Sequence, residues 1–373
     1  MKPAATRIVI SGGGTGGHIY PAIAIANALK ELRPEVELLF VGALGKMEME
    51  KVPRAGYDII GLPVVGFQRS FSPANLLFPF KLVNSLLKAR RIIRDFKPQV
   101  AVGVGGFASG PLLQMASLAG IPTLIQEQNS RAGVTNRMLA KKAAKICVAY
   151  PGMERFFPNH KIKLTGNPVR KDIINLSGKK TEGLKHFGLS ENARTLFVMG
   201  GSLGARSINE SLAASLPEIA SSGVQVIWQT GKSFVEQARN RIAELGLQNT
   251  VKSSDFIYEM DLAYAAADVV ISRAGALSVS EICLAAKPSV LVPYPFAAED
   301  HQTSNALSLV RQNAALMVKD SEAMQLLAKT ALELLADPGA QKTLSANCSK
   351  SGFPDAAHEI AKEILTLADK HPV

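Results

Sequence analysis

The sequence predicts an α/β protein of two Rossmann-like domains, each a parallel sheet flanked by crossover helices. Three observations predict it. Short apolar runs alternate with helical patterns, the alternation breaks once and restarts, and each half opens on a strand, a glycine-rich turn and a helix. At 373 residues the chain also exceeds what one hydrophobic core usually fills.

The first strand is the β-branched run RIVI, and the turn SGGGTGGHIYPA at residues 11–22 follows it. The stretch PAIAIANALKEL reads as a helix with Pro21 in its first turn, where a missing N–H has no partner to lose. Five glycines around Thr15 leave backbone N–H groups open at a helix N-terminus, which attracts anions. Two readings stand: a phosphate cradle, or a tight turn whose glycines let the helix pack on the sheet. The spacing Gly12-x-Gly14-x-x-Gly17 fits a dinucleotide fingerprint. The next strand, however, ends in glycines with Lys46 and Glu48 following, rather than in the acid such sites carry there.

ELLFVG, YDIIGLPV, PQVAVGVGG, PTLIQEQN and KICVAY continue the strand rhythm, and residues 161–190, polar and turn-rich, read as a linker. The rhythm resumes with TLFVMGGSLGARSINESLAASL, VQVIWQTG, VVISRAGALSVSEICLAAK and PSVLVPYP. SRAGALSVSE follows an apolar strand and opens a helix just inside which Glu281 stands. A carboxylate there gains from the helix dipole, and it could equally accept hydrogen bonds from a ribose diol.

Composition excludes several classes. Three cysteines, Cys147, Cys283 and Cys348, form no C-x-x-C and fit reduced thiols rather than a disulfide framework or a zinc site. The opening apolar run is too short for a signal peptide, and no segment reaches ~18 apolar residues. A formal charge of +11 calls for an anionic partner. Residues 71–97 join Leu76, Leu77, Phe78 and Phe80 to a string of lysines and arginines. That stretch is either a core helix with a solvated basic face or an amphipathic patch on an anionic membrane leaflet.

The motifs GGTGGHIYPA, VGVGGFASGP, QEQNSRAGVTNR, TGNPVR, GGSLGAR and SRAGALSVSEI…VPYPFAAEDHQTSNA occur in one order over roughly residues 7–310. In this the chain resembles the MurG family of glucosaminyltransferases. The resemblance implies the GT-B fold, two Rossmann-like domains with parallel sheets facing a central cleft. It implies an N-terminal domain over 1–165 for the lipid acceptor and a C-terminal domain over 166–350 for the sugar nucleotide. The stretch 351–373 would be a C-terminal helix packing back on the first domain. UDP-N-acetylglucosamine would meet Thr15, Gly16, Gly17, Asn129, Arg170, Ser202, Ile257, Ala276, Leu277, Ser278, Val279, Ser280, Glu281 and Gln302. Within that set Glu281 would hold the ribose hydroxyls and the backbone of Ile257 would frame the uracil. The chain departs from the family pattern at Leu203, Ala274 and His301, where only backbone contacts carry over. The acceptor would be an undecaprenyl-diphosphate-linked muramoyl-pentapeptide, the location peripheral at the cytoplasmic face of the inner membrane, and anionic lipids its third partner.

The implied chemistry is attack of a muramoyl 4-hydroxyl on the anomeric carbon with inversion and loss of UDP, which needs one base. The chain has no D-x-D pair, so no metal and no cofactor are expected for binding. Helix starts at 201–206 and 274–279, with Arg170, can meet the leaving diphosphate. His18 is the candidate base: at a helix N-terminus its imidazole stays neutral. Its other reading is a cap on its own helix, and His301 is the next candidate. Two rival readings share parts of this pattern. A UDP-N-acetylglucosamine 2-epimerase would share the architecture but not need residues 71–97. A nucleic-acid-binding protein would show the aromatic-basic interleaving that this chain, with one tryptophan, lacks.

Overall fold

A computed structural model describes residues 6–64 and 78–371. The chain forms two units, residues 1–169 with 355–373, and residues 170–354.

In the first unit the elements run β1 (Arg7–Ser11), α1 (Gly16–Leu32), β2 (Glu37–Ala43), α2 (Glu48–Arg54), β3 (Ile59–Leu62), α3 (Phe78–Phe96), β4 (Val100–Gly103) and α4 (Ser109–Leu118). They continue with β5 (Thr123–Glu127), α5 (Val134–Leu139), β6 (Lys145–Val148) and β7 (Ile162–Leu164). The strands are parallel in the order β3-β2-β1-β4-β5-β6-β7, with Ile10 of β1 opposite Phe40 of β2 and Val102 of β4. Successive side chains face opposite sides of a strand. Ile8 and Ile10 therefore join one core with Ile25, Leu29 and Phe40, while Val9 joins another with Ile92, Ile93 and Leu112. Helices on both faces explain the unbroken apolar runs at the centres of the inner strands, such as Ile8–Ile10.

The second unit holds α6 (Lys180–His186), β8 (Thr195–Met199), α7 (Arg206–Ser221), β9 (Gln225–Gln229), α8 (Val235–Glu244), β10 (Val251–Ser254) and α9 (Met260–Ala266). It continues with β11 (Val269–Ser272), α10 (Ala276–Leu284), β12 (Ser289–Leu291), α11 (His301–Val310), β13 (Leu316–Met317), α12 (Ala323–Ala336) and α13 (Pro338–Ser349). Its parallel order is β10-β9-β8-β11-β12-β13. Leu196, Val198, Ile271 and Val290 pack against Ile208 and Leu212 of α7 and Leu327 of α12. The chain then returns to the first unit as α14 (Ala356–Asp369), where Ile360 and Ile364 complete the core around Ile25 and Leu29.

Both sheets reverse direction of growth once, between β1 and β4 and between β8 and β11. At such a switch point neighbouring loops part and leave a crevice outside the strand carboxyl ends, where ligands bind in this class of sheet. Every glycine-rich turn named above leaves one of those four strands.

Two expectations are corrected. Helix α1 begins at Gly16, so Pro21 sits inside it and not in its first turn. The N-terminal turn is made by the glycines themselves, and Pro21 offers no N–H to the carbonyl of Gly17. Nor is 161–190 only a linker: Ile162–Leu164 pairs with β6 as a seventh strand, and Lys180–His186 is helical. Lys163, between two apolar residues, pairs with Glu359 and Glu363 at 2.9 Å each, so its charge does not oppose the strand.

Candidate active site

In the second unit the site is a chain of polar contacts around the β8/β11 switch point. Gly275 caps α10 in an extended conformation, which leaves the first N–H groups of the helix facing outward. Glu281 projects from that helix with its side chain 12 % exposed. Arg170 Nε lies 3.4 Å from its Oε1, and the hydroxyl of buried Tyr264 donates to its Oε2 at 3.3 Å. Burial raises the Glu281 carboxyl to about 7, against the opposing pull of Arg170 and of the Tyr264 hydrogen bond. Arg170 Nη1 also donates to the carbonyl of Tyr258 at 3.4 Å, tying the 257–258 loop to the same group.

Gln229, at the end of β9, makes the next link. Its Nε2 donates to the carbonyl of Gly201 at 3.1 Å, and its Oε1 accepts from the N–H of Ile257 at 3.0 Å. The glycine turn before α7 and the loop of Ile257 are thereby fixed to each other. Ser202 is exposed on that turn, and Leu203 beside it is 84 % exposed. On the far side, Asn305 Nδ2 donates to the carbonyl of Ala274 at 3.2 Å and holds α11, with Gln302 near its start, against the loop before α10. Gln302 Oε1 accepts from the N–H of Tyr294 at 3.0 Å. Ala276, Leu277, Ser278 and Ser280 are partly exposed, whereas Val279 is buried with its N–H bonded to Gly275. Its contribution to a ligand would be indirect. The structure thus joins Arg170, Ile257, Glu281 and the Gly201–Ser202 turn through direct hydrogen bonds or one intermediary.

In the first unit Thr15 is the extended cap of α1, with Gly16, Gly17 and His18 in the opening turn. His18 Nδ1 stands 3.0 Å from the carbonyl of Gly13. A carbonyl only accepts, so this bond puts the ring proton on Nδ1 and leaves the lone pair on Nε2. The imidazole lies against Gly105, where a Cβ would come 2.6 Å from the ring. Nδ1 also lies 3.4 Å from Oγ1 of Thr15, the cap residue of α1, whose own side chain makes no capping bond. Asn129 follows β5, with both its N–H and its side-chain amide directed to Oε1 of Glu127. Glu127 is buried, and its Oε2 accepts from Gly133 and Asn136; burial raises its pKa while these donors hold it down.

Gln229, Tyr264, Glu127 and Glu48 escape the sequence reading. The one available signal was position, since three of the four sit at or just beyond the carboxyl end of a strand. Of the apolar-basic stretch, Leu76 and Leu77 lie outside the described residues and Phe78 is the first residue of α3. Phe80 is 75 % exposed and lines an apolar depression with Val83, Asn84 and Leu87, while Ala89, Ile92 and Ile93 are buried. Arg90, Arg91 and Arg94 are exposed. Among the described residues no helix is long and apolar enough to cross a membrane.

Residues 8–148 match the glycosyltransferase family 28 N-terminal domain, and residues 195–360 match the family 28 C-terminal domain. A Phocaeicola vulgatus protein is 57 % identical over 365 residues, covering 98 % of this chain and 97 % of its own. It is named UDP-N-acetylglucosamine–N-acetylmuramyl-(pentapeptide) pyrophosphoryl-undecaprenol N-acetylglucosamine transferase. The crystal structure of Acinetobacter baumannii MurG superposes with a TM-score of 0.78 at 28 % identity, covering 97 % of this chain and 99 % of that one. The chain belongs to the MurG family of glycosyltransferases.

The MurG family assignment accounts for the two parallel-sheet α/β domains, as the sequence predicted. A UDP-N-acetylglucosamine 2-epimerase structure also superposes, with a TM-score of 0.64 over 98 % of this chain and 97 % of that one. At 14 % identity that likeness is one of fold alone. The epimerase rival is not favoured.

Proposed function

We propose that this chain transfers N-acetylglucosamine from UDP-N-acetylglucosamine to the 4-hydroxyl of an undecaprenyl-diphosphate-linked muramoyl-pentapeptide, a step of peptidoglycan synthesis. The observation that carries the reading is the Glu281 constellation. A nearly buried carboxylate, oriented by Arg170 and Tyr264 beside open helix N–H groups, suits a ribose diol next to a diphosphate. In this reading the second domain holds the donor, with Ser202, Ile257, residues 276–281 and Gln302 around it. Thr15, Gly16, Gly17 and Asn129 of the first domain complete the set, and the first domain receives the acceptor.

The bond made joins the acceptor O4 to the anomeric carbon, and the bond broken is from that carbon to the diphosphate oxygen. His18 Nε2 takes the hydroxyl proton as the new bond forms. Negative charge gathers on the departing UDP, where the N-termini of α7 and α10 and the Arg170 guanidinium reduce its cost. The exposed apolar residues of α3 with the arginines behind them suit the surface of an anionic bilayer, so the enzyme works peripherally at the cytoplasmic face of the inner membrane. Nucleic acid has no place in this reading.

The test is transfer of labelled N-acetylglucosamine from its UDP ester with and without a short-chain lipid acceptor. Label should enter the acceptor, and UDP should form only in its presence. Conversion of the donor without acceptor would move the chain to the epimerase class.

A further inference from the structure

Glu48 opens α2, is fully buried, and lies well away from Arg170 and Glu281 in sequence and in domain. Its Oε2 accepts from the N–H of Gly14 at 2.9 Å, and its Oε1 accepts from the N–H of Ala43 at 2.9 Å. The niche is built for it: a Cβ on Gly13 would fall 2.1 Å from Oε1, and one on Gly42 would fall 2.5 Å from Cγ. The amide of Gly14 and the carbonyl of Gly13 are two ends of one peptide group. That carbonyl is the group His18 Nδ1 reaches at 3.0 Å.

We propose that Glu48 is a positioning residue that acts on His18 through the Gly13–Gly14 peptide. The carboxylate accepts at one end of the peptide, polarises it, and makes the carbonyl at the other end a stronger acceptor for the imidazole N–H. The bond holds the ring in the Nδ1–H tautomer, so that Nε2 carries the lone pair. A carboxylate partner fixes a catalytic histidine in this way when it bonds directly; here a backbone amide stands between the two. Glu48 reaches the ring through the 12–14 loop; Gly105 lies against the ring, Gly106 against the Gly13 backbone, and Thr15 Oγ1 is 3.4 Å from Nδ1. Glu127, the other buried carboxylate of this domain, is spent on Asn129, Gly133 and Asn136. One N–H of the glycine turn, that of Gly14, is thus taken by the protein's own side chain.

The inference rests on His18 being the base of the proposed transfer, and the experiment separates the two. Ring ¹⁵N shifts of His18 in the unmodified protein should show the Nδ1–H tautomer; an Nε2–H ring would overturn the proposal without any variant. Glu48→Gln keeps the volume but loses the charge, and its amide can accept from only one of the two N–H groups. Its kcat should fall about 10-fold, the lower end of the loss for partners that orient a catalytic ligand, with both KM values within about 2-fold. The Nδ1–H signature should weaken in step. A folded Glu48→Gln enzyme with parental kcat, or with an unchanged His18 tautomer, would overturn it. If His18→Ala also keeps the parental rate, the base assignment fails, whatever Glu48 does to the ring.

Discussion

At the scale of single residues, Glu281 makes the strongest demand. Its carboxyl sits at about 7 because burial disfavours the charge more than Arg170 and Tyr264 restore it. A ribose diol donates to it fully only when it is ionised, so donor affinity should rise with pH, roughly 10-fold tighter at pH 8 than at pH 6. The ligand-free protein has the opposite slope. A carboxyl whose folded pKa lies above its unfolded value adds stability below about 4.5 and loses it as pH rises through 7. Calorimetric titration with UDP and melting curves of the free protein, each from pH 5 to 8, should show both slopes in the parent and neither in Glu281→Gln. A pH-independent UDP affinity would leave Glu281 as a structural partner of Arg170 and Tyr264; at the sixth position of α10 it lies beyond the first turn, where the helix dipole acts. This carboxylate was legible because it follows an apolar strand and small residues at a helix start. Gln229, Tyr264 and Glu48 were not. Their partners lie 28, 17 and 34 positions away, and no local pattern encodes which turn a buried side chain will reach.

At the scale of elements, α3 divides along its length. Phe80, Val83 and Leu87 are exposed, while Ala89, Ile92 and Ile93 are core, so the two readings of the stretch each describe a part of one helix. Replacing Phe80, Val83 and Leu87 by serine should abolish co-sedimentation with anionic vesicles and leave transfer to a water-soluble acceptor within about 2-fold. Stability should change little, since the residues are exposed. Persistent vesicle binding would shift the contact to another surface. Strands were easy to read because both faces of each sheet are covered, which makes them short unbroken apolar runs such as Ile8–Ile10 and Val269–Ile271. Element ends were harder. α1 starts at Gly16 although glycine is a poor helix former, since tertiary packing of Ile19, Ile25 and Leu29 outweighs propensity in its first turn. β7 was hidden because two of its three side chains are charged or exposed, and its lysine pairs with Glu359 and Glu363 of the distant α14.

At the scale of the whole molecule, the first unit is discontinuous: its core contains Ile360, Ile364 and Leu365 of α14, and Arg33 holds Asp369 at 2.8 Å. Burying three such side chains stabilises by on the order of 5–9 kcal/mol, comparable to the whole stability of a domain. A chain ending at residue 354 should therefore lose the melting transition of the first unit while that of residues 170–354 remains. Two unaltered transitions by calorimetry would contradict this. The arrangement also sets an order on synthesis. A ribosome delivers the glycine turn and His18 early, yet the layer that seals the sheet beneath them emerges only after all of residues 170–354. The unit of residues 170–354 can close as soon as it is made, whereas the earlier unit must wait with an apolar face uncovered. The half that is translated first would thus finish folding after the other, and His18 would be held in place only once α14 has been made.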